Sequence, residues 1–146
     1  MIDSKGLTLV ELVVVLIILM ALTVVFFKNI SMFNKADSIE DDCKKIYAFL
    51  QKARLEAFSQ KKILHVALDA TGEKLCKTIQ NECIVLNNQF ASTGTGNFHI
   101  SRRGLFKTSG NIHVTHIRGK PAYSCVAVSN TRVRLGEWVS GSCKSK

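Results

Sequence analysis

The chain has 146 residues, long enough for one domain and short for two, and 47% of them are apolar. Its formal charge is +9, with 20 Lys and Arg against 11 Asp and Glu, and it holds five cysteines and a single proline. Such a composition excludes a disordered acidic tail or a collagen-like repeat, and no low-complexity segment or internal repeat is present.

The first predicted element is an apolar helix. Residues 12–27 carry no charge and one polar side chain, Thr23. Extended back to residue 7 the run would be roughly 31 Å long as a helix, enough to cross a bilayer core. The run is not uniform, because Glu11 stands near its start. A carboxylate in hydrocarbon costs roughly 2.5–3.5 kcal/mol. A secretory signal peptide ends in small residues, whereas "KNISMFNK" follows this run and the hydrophilic leader "MIDSKG" precedes it.

From Ile39 a second pattern follows. Ile39, Cys43, Ile46, Leu50, Ala53 and Ala57 step by four and three in turn, the spacing of one apolar stripe on a helix. Asp41, Lys44 and Lys52 fall on the other face. No strong stop separates the two segments, so one long helix is expected, with residues 7–27 as its apolar part and 28–62 packed on a body. Cys43 lies on the packed stripe and reads as a buried thiol used as a small apolar residue.

Residues 63–146 remain for that body, a size that buries a thin core and usually needs staples. "ILHVALD", "CIVLNNQF", "NFHISRR", "NIHVTHIR", "AYSCVAVS" and "TRVRLGEW" read as strands, with turn signals at Gly72, Gly94, Gly96, Gly104, Gly110 and Gly119. The fold class expected is α+β: a long N-terminal helix on a small, mostly antiparallel sheet. The "ASTGTGN" stretch reads as a flexible loop.

Charge is placed unevenly. Residues 1–98 hold eleven Lys and Arg against ten acids, a net of +1, and residues 99–146 hold nine against Glu137 alone, a net of +8. An asymmetry of this kind points to an anionic partner such as nucleic acid, acidic lipid or polysaccharide, set against an ordinary solvated surface. In "TRVRL", strand geometry puts Arg132 and Arg134 on one face about 6.8 Å apart and turns Val133 and Leu135 inward. That separation is comparable to the gap between successive phosphates, and a guanidinium grips phosphate through two donors. Arg102, Arg103, Lys107, Arg118 and Lys120 would extend the surface if their loops gather at one end. The plainer reading is a charged edge strand that resists edge pairing.

No G-x-S-x-G, H-E-x-x-H or P-loop occurs, so an enzyme is not expected. The CxxC pairs of metal knuckles are absent, and His113 and His116 would face opposite sides of a strand. No metal or cofactor is expected.

The N-terminal residues "KG" and "LTLVEL" resemble the cleavage signal of type IV prepilins and pseudopilins. The resemblance implies cleavage by a prepilin peptidase between Gly6 and Leu7, leaving residues 1–6 as the leader, and N-methylation of Leu7. It gives Glu11 the role of neutralising the cationic amino terminus of an adjoining subunit. An opposite charge is what makes a buried carboxylate tolerable. The proline these helices often carry three turns later is replaced by Lys28. The segment "FHISRRGLFKTSGNIHVTH", with "YSCVAVSNTRVRL" after it, resembles the C-terminal part of the GspH/FimT family. There "TRVR" stands where that family has a "GRxR"-like tetrad, with Thr131 in the glycine's place, and "KLCKTIQNECIVL" replaces an expected aromatic turn.

That resemblance implies a single-pass inner-membrane protein with its body in the periplasm, later part of a filament on the cell surface beside other pilins or pseudopilins. In the FimT branch the basic region binds DNA taken up in natural transformation. In the GspH branch the protein sits at the tip of a type II secretion pseudopilus, and a pilus adhesin for acidic polymers would use the same charge. Pilins usually carry a C-terminal disulfide, which implies Cys125 with Cys143, a link worth roughly 3 kcal/mol by loop entropy. Cys76 and Cys83 would clasp a hairpin-like excursion or stay reduced.

Overall fold

The computed structural model describes residues 9–78, 82–94, 96–117 and 119–145, with side chains at 24–33 left aside. Gly6, Leu7 and Arg118 lie outside the described residues. The chain divides into two compact units, Met1–Asn34 and Lys35–Lys146.

Helix α1 (Leu9–Gln60) is the one helix among the described residues and contributes to both units. It contains neither Gly nor Pro, so nothing in the sequence interrupts its hydrogen-bond ladder. It stops where Lys61 turns to a φ of 53°, close to the expected limit at residue 62. In the first unit the large apolar side chains from Leu9 to Leu22 are exposed on every side of the helix, and Glu11 lies in its first turn. Among the described residues no helix is long and apolar enough to cross a membrane.

In the second unit the stripe behaves as its spacing requires. Ile39, Cys43, Ile46, Leu50, Ala53 and Ala57 are all buried, whereas Asp41, Lys44 and Lys52 are exposed. Burial, reinforced by the negative charges of Asp42 and Glu40, pushes the Cys43 thiol up to about 12. Asp42 is also fully buried, and its carboxylate accepts from the backbone N–H groups of Asn87 and Asn88 at 2.8 and 3.0 Å and from Lys45 Nζ at 3.0 Å. A buried carboxylate is stable only when its lone pairs are met in this way.

The body is α+β, as expected, but it holds two antiparallel sheets where one was expected. The first has the order β3-β2-β1-β5, from β1 (Leu64–Leu68), β2 (Lys74–Lys77), β3 (Cys83–Val85) and β5 (Asn97–Ile100). The second has the order β4-β6-β7-β8-β9, from β4 (Phe90–Thr93), β6 (Gly110–Val114), β7 (Cys125–Val128), β8 (Val133–Val139) and β9 (Ser142–Ser145). The stretch "CIVLNNQF" is therefore not one strand. It breaks at Asn87 and Asn88, whose amides are drawn to Asp42, and its halves join different sheets. "ASTGTGN" begins as strand β4, held to β6 partly by the Thr93 hydroxyl, which accepts from the Asn111 N–H at 2.8 Å.

Both disulfides are present. Cys76–Cys83 links directly paired positions of β2 and β3, and Cys125–Cys143 ties β7 to β9. Between those two runs β8, where a Cβ on Gly136 would stand 3.0 Å from Cys143 Sγ and 2.4 Å from the Lys144 carbonyl oxygen. Only glycine leaves room for that crossing. The core gathers the helix stripe with Leu64, Val66, Leu75, Phe98, Ile100, Phe106, Ile112, Val126 and Val133.

Candidate functional site

The basic residues of the body sort themselves by strand direction. β7 ends at Val128 and β8 begins at Val133, so residues 129–132 form a tight hairpin turn. The Ser129 N–H donates to the Arg132 carbonyl at 2.8 Å, and the Ser129 hydroxyl donates to the same oxygen at 2.9 Å. The backbone at Thr131 stays out of the left-handed region, so the turn forms with threonine at that position. Arg132 and Arg134 are exposed on either side of buried Val133, and Leu135 packs partly on the core. The alternation inferred from "TRVRL" is therefore present.

The second basic segment arrives from the other sheet. After β5 the chain makes a tight turn in which the Gly104 N–H donates to the Ser101 carbonyl at 2.8 Å, leaving Arg102 and Arg103 exposed at its tip. Phe106 then drops into the core and pairs with Ile100. Its N–H donates to the Asn130 carbonyl at 2.9 Å, which fastens this loop to the hairpin turn that carries Arg132. Arg54 of α1 holds the loop from beneath, donating from Nε to the Gly104 carbonyl at 2.9 Å with its guanidinium 5.6 Å from the Phe106 ring centre.

The result is an open groove of about 650 Å³ walled by Ile63, Arg102, Arg103, Leu105, Lys107 and Asn130, with no acid in its lining. A shallower one adjoins it through Arg103, Leu55 and Phe58. Lys61 and Lys62 close the helix beside Ile63, and Lys61 Nζ lies 3.9 Å from the Phe58 ring centre. Cations and exposed apolar carbons thus share one end of the body. Clustered cations of this kind produce a positive local potential.

Not every expected residue joins it. Arg134 lies one strand position further in, opposite Ala127 on the outer face of the second sheet. On the same face the Trp138 indole stacks on His113 with ring centres 3.8 Å apart. Burial holds the His113 imidazole below its ordinary value. Lys120 belongs to the connection between β6 and β7, at the opposite end of those strands from residues 129–132, so it does not share the groove. The described residues contain no cluster of three or more metal-ligating side chains.

Arg54, Lys61, Lys62 and Asn130 were not picked out by sequence reasoning. Arg54 meets Gly104 across 50 positions, a contact no local pattern encodes. Lys61 and Lys62 were legible as a basic pair at a helix end. No family model, curated protein or solved structure matches the chain.

Proposed function

We propose that the chain is a minor subunit of a type IV pilus system that holds extracellular DNA by its phosphates at the basic end of the body. One observation carries the reading: the Phe106–Asn130 hydrogen bond brings Arg102, Arg103 and Lys107 beside the turn of Arg132, and no acid lines the groove. A planar guanidinium loses less freedom per hydrogen bond to phosphate than a lysine ammonium does, and such contacts read no bases.

The apolar helix fits the same reading. Large side chains exposed on all sides from Leu9 to Leu22 call for a lipid or a bundle of neighbours around them. Residues 7–27 would hold the precursor in the inner membrane with the body in the periplasm. A prepilin peptidase would cut after Gly6 and methylate Leu7, and Glu11 would meet the new amino terminus of a neighbouring pilin as the filament grows. Filament retraction would then draw bound DNA toward the cell.

The test is a shift assay on the full chain in detergent with duplex DNA of unrelated sequences. With about four phosphate contacts, raising salt from 50 to 200 mM lowers affinity roughly a hundredfold. Sequence-indifferent binding that is lost when Arg132 and Arg134 both become Gln supports the reading. Undiminished binding by that double variant places the site elsewhere. No binding even at low salt favours a subunit of a type II secretion pseudopilus.

A further inference from the structure

His65 of β1 and His99 of β5 face each other directly across the first sheet. Their neighbours along each strand, Leu64 and Val66 on one side and Phe98 and Ile100 on the other, are all in the core. Strand alternation therefore forces both imidazoles onto the outer face, where each is half-buried. The ring centres are 4.2 Å apart, with the planes inclined by 77°. The two rings touch each other, and no ring nitrogen of either is buried without a partner or engaged in a hydrogen bond with the protein. Around them Ala67 and Asn97 are the next paired positions on these strands, Cys76, opposite Ala67 on β2, is locked in its disulfide, and Lys107 is a neighbouring charge, its backbone N–H donating to the His99 carbonyl at 2.8 Å.

We propose that His65 and His99 form a two-ligand site for a divalent transition-metal ion. A metal about 2.0–2.1 Å from one nitrogen of each ring needs the ring centres roughly 5 Å apart, so a small side-chain rotation converts the observed contact into a chelate. The backbone has already fixed both Cα positions, and little conformational freedom is left to lose. Neutral imidazole suits Cu(II), Ni(II) and Zn(II), and Cu(II) binds such ligands most tightly. Two positions supplied by the protein leave the others to water or to an anion. The pair adjoins the basic groove through Lys107, but neither histidine lines that groove, so metal binding is tested without reference to DNA.

The experiment is a titration of the full chain in detergent with Cu(II), followed by electron paramagnetic resonance. One equivalent should bind with hyperfine coupling to two nitrogens. His65→Gln and His99→Gln should each weaken binding about tenfold or more. The double variant should be no worse than either, because one ligand alone forms no chelate, and His116→Gln should change nothing. Affinity unmoved by His65→Gln and His99→Gln overturns the proposal. Should the variants fold poorly, the wild-type chain decides the matter. Substoichiometric Cu(II) should broaden the amide resonances of Ala67, Cys76 and Asn97 first, and broadening centred on His116 overturns the assignment.

Discussion

Lys77 Nζ lies 2.6 Å from Glu56 Oε2, and the lysine side chain is wholly buried between β2 and α1. A second carboxylate, Glu82, meets it at 2.8 Å. Burial pulls the ammonium pKa down, but the hydrogen bonds it donates to Glu56 and Glu82 outweigh it, and the group ends above its ordinary value. Removing one member of such a pair strands the other. Lys77→Ala should cost about 3 kcal/mol, and Lys77→Met combined with Glu56→Gln should recover most of that. Urea midpoints at constant m-value check both.

The same cluster sets an acid limit. Hydrogen bonds from Lys52 and then Lys77 hold the Glu82 carboxyl down at about 2, against an ordinary value of 4.5. A carboxyl depressed in the folded state binds fewer protons there than in the unfolded chain, so its contribution is present above pH 4.5 and lost as pH falls toward 2. Melting temperature should drop across that window, and Glu82→Gln should flatten the drop. An equally steep fall in the variant would assign acid sensitivity to other groups.

The five cysteines should behave as three classes. Removing the Cys125–Cys143 link, which spans 18 positions, should cost roughly 3 kcal/mol, and removing Cys76–Cys83, which spans 7, roughly 2 kcal/mol. Cys43, buried and with its pKa pushed up to about 12, holds almost no thiolate at pH 8. Thiol titration should therefore find no reactive cysteine in the native chain and one in denaturant.

Gly104 shapes the arginine turn. Its φ of +73° is one that side chains resist, and a Cβ there would stand 3.2 Å from the Arg54 carbonyl oxygen. Gly104→Ala should cost about 2 kcal/mol. Gly141→Ala, at φ +80° but with open space around it, should cost about 1 kcal/mol. Thermal denaturation of the two variants side by side separates the contact from the backbone strain.

Much of the fold was legible because burial imposes periodicity. The helix stripe from Ile39 to Ala57 and the alternation of β1, β5, β6 and β8 each follow from a single buried face. β2, β4 and β9 were not recognised. "KLCK", "FAST" and "SCKS" are short and polar, and they are strands because neighbours and disulfides pair them, not because their own pattern demands it. The candidate site divides the same way. Arg132 and Arg134 were readable from alternation within one strand, whereas the meeting of Arg102, Arg103 and Lys107 with the 129–132 turn depends on how two sheets pack, and the exclusion of Lys120 depends on the direction of β6 and β7. The 129–132 turn needs no left-handed residue, which is why threonine fits at position 131.

The central claim is that DNA is held at one end of the body, and the salt dependence of binding measures it residue by residue. Each phosphate contact removed should lower the slope of log affinity against log salt by about 0.9. Arg132→Gln and Lys107→Gln should each reduce the slope by about that amount, and together by about twice as much, while Lys120→Gln should leave it unchanged. A slope reduced as much by Lys120→Gln as by Arg132→Gln would contradict the account.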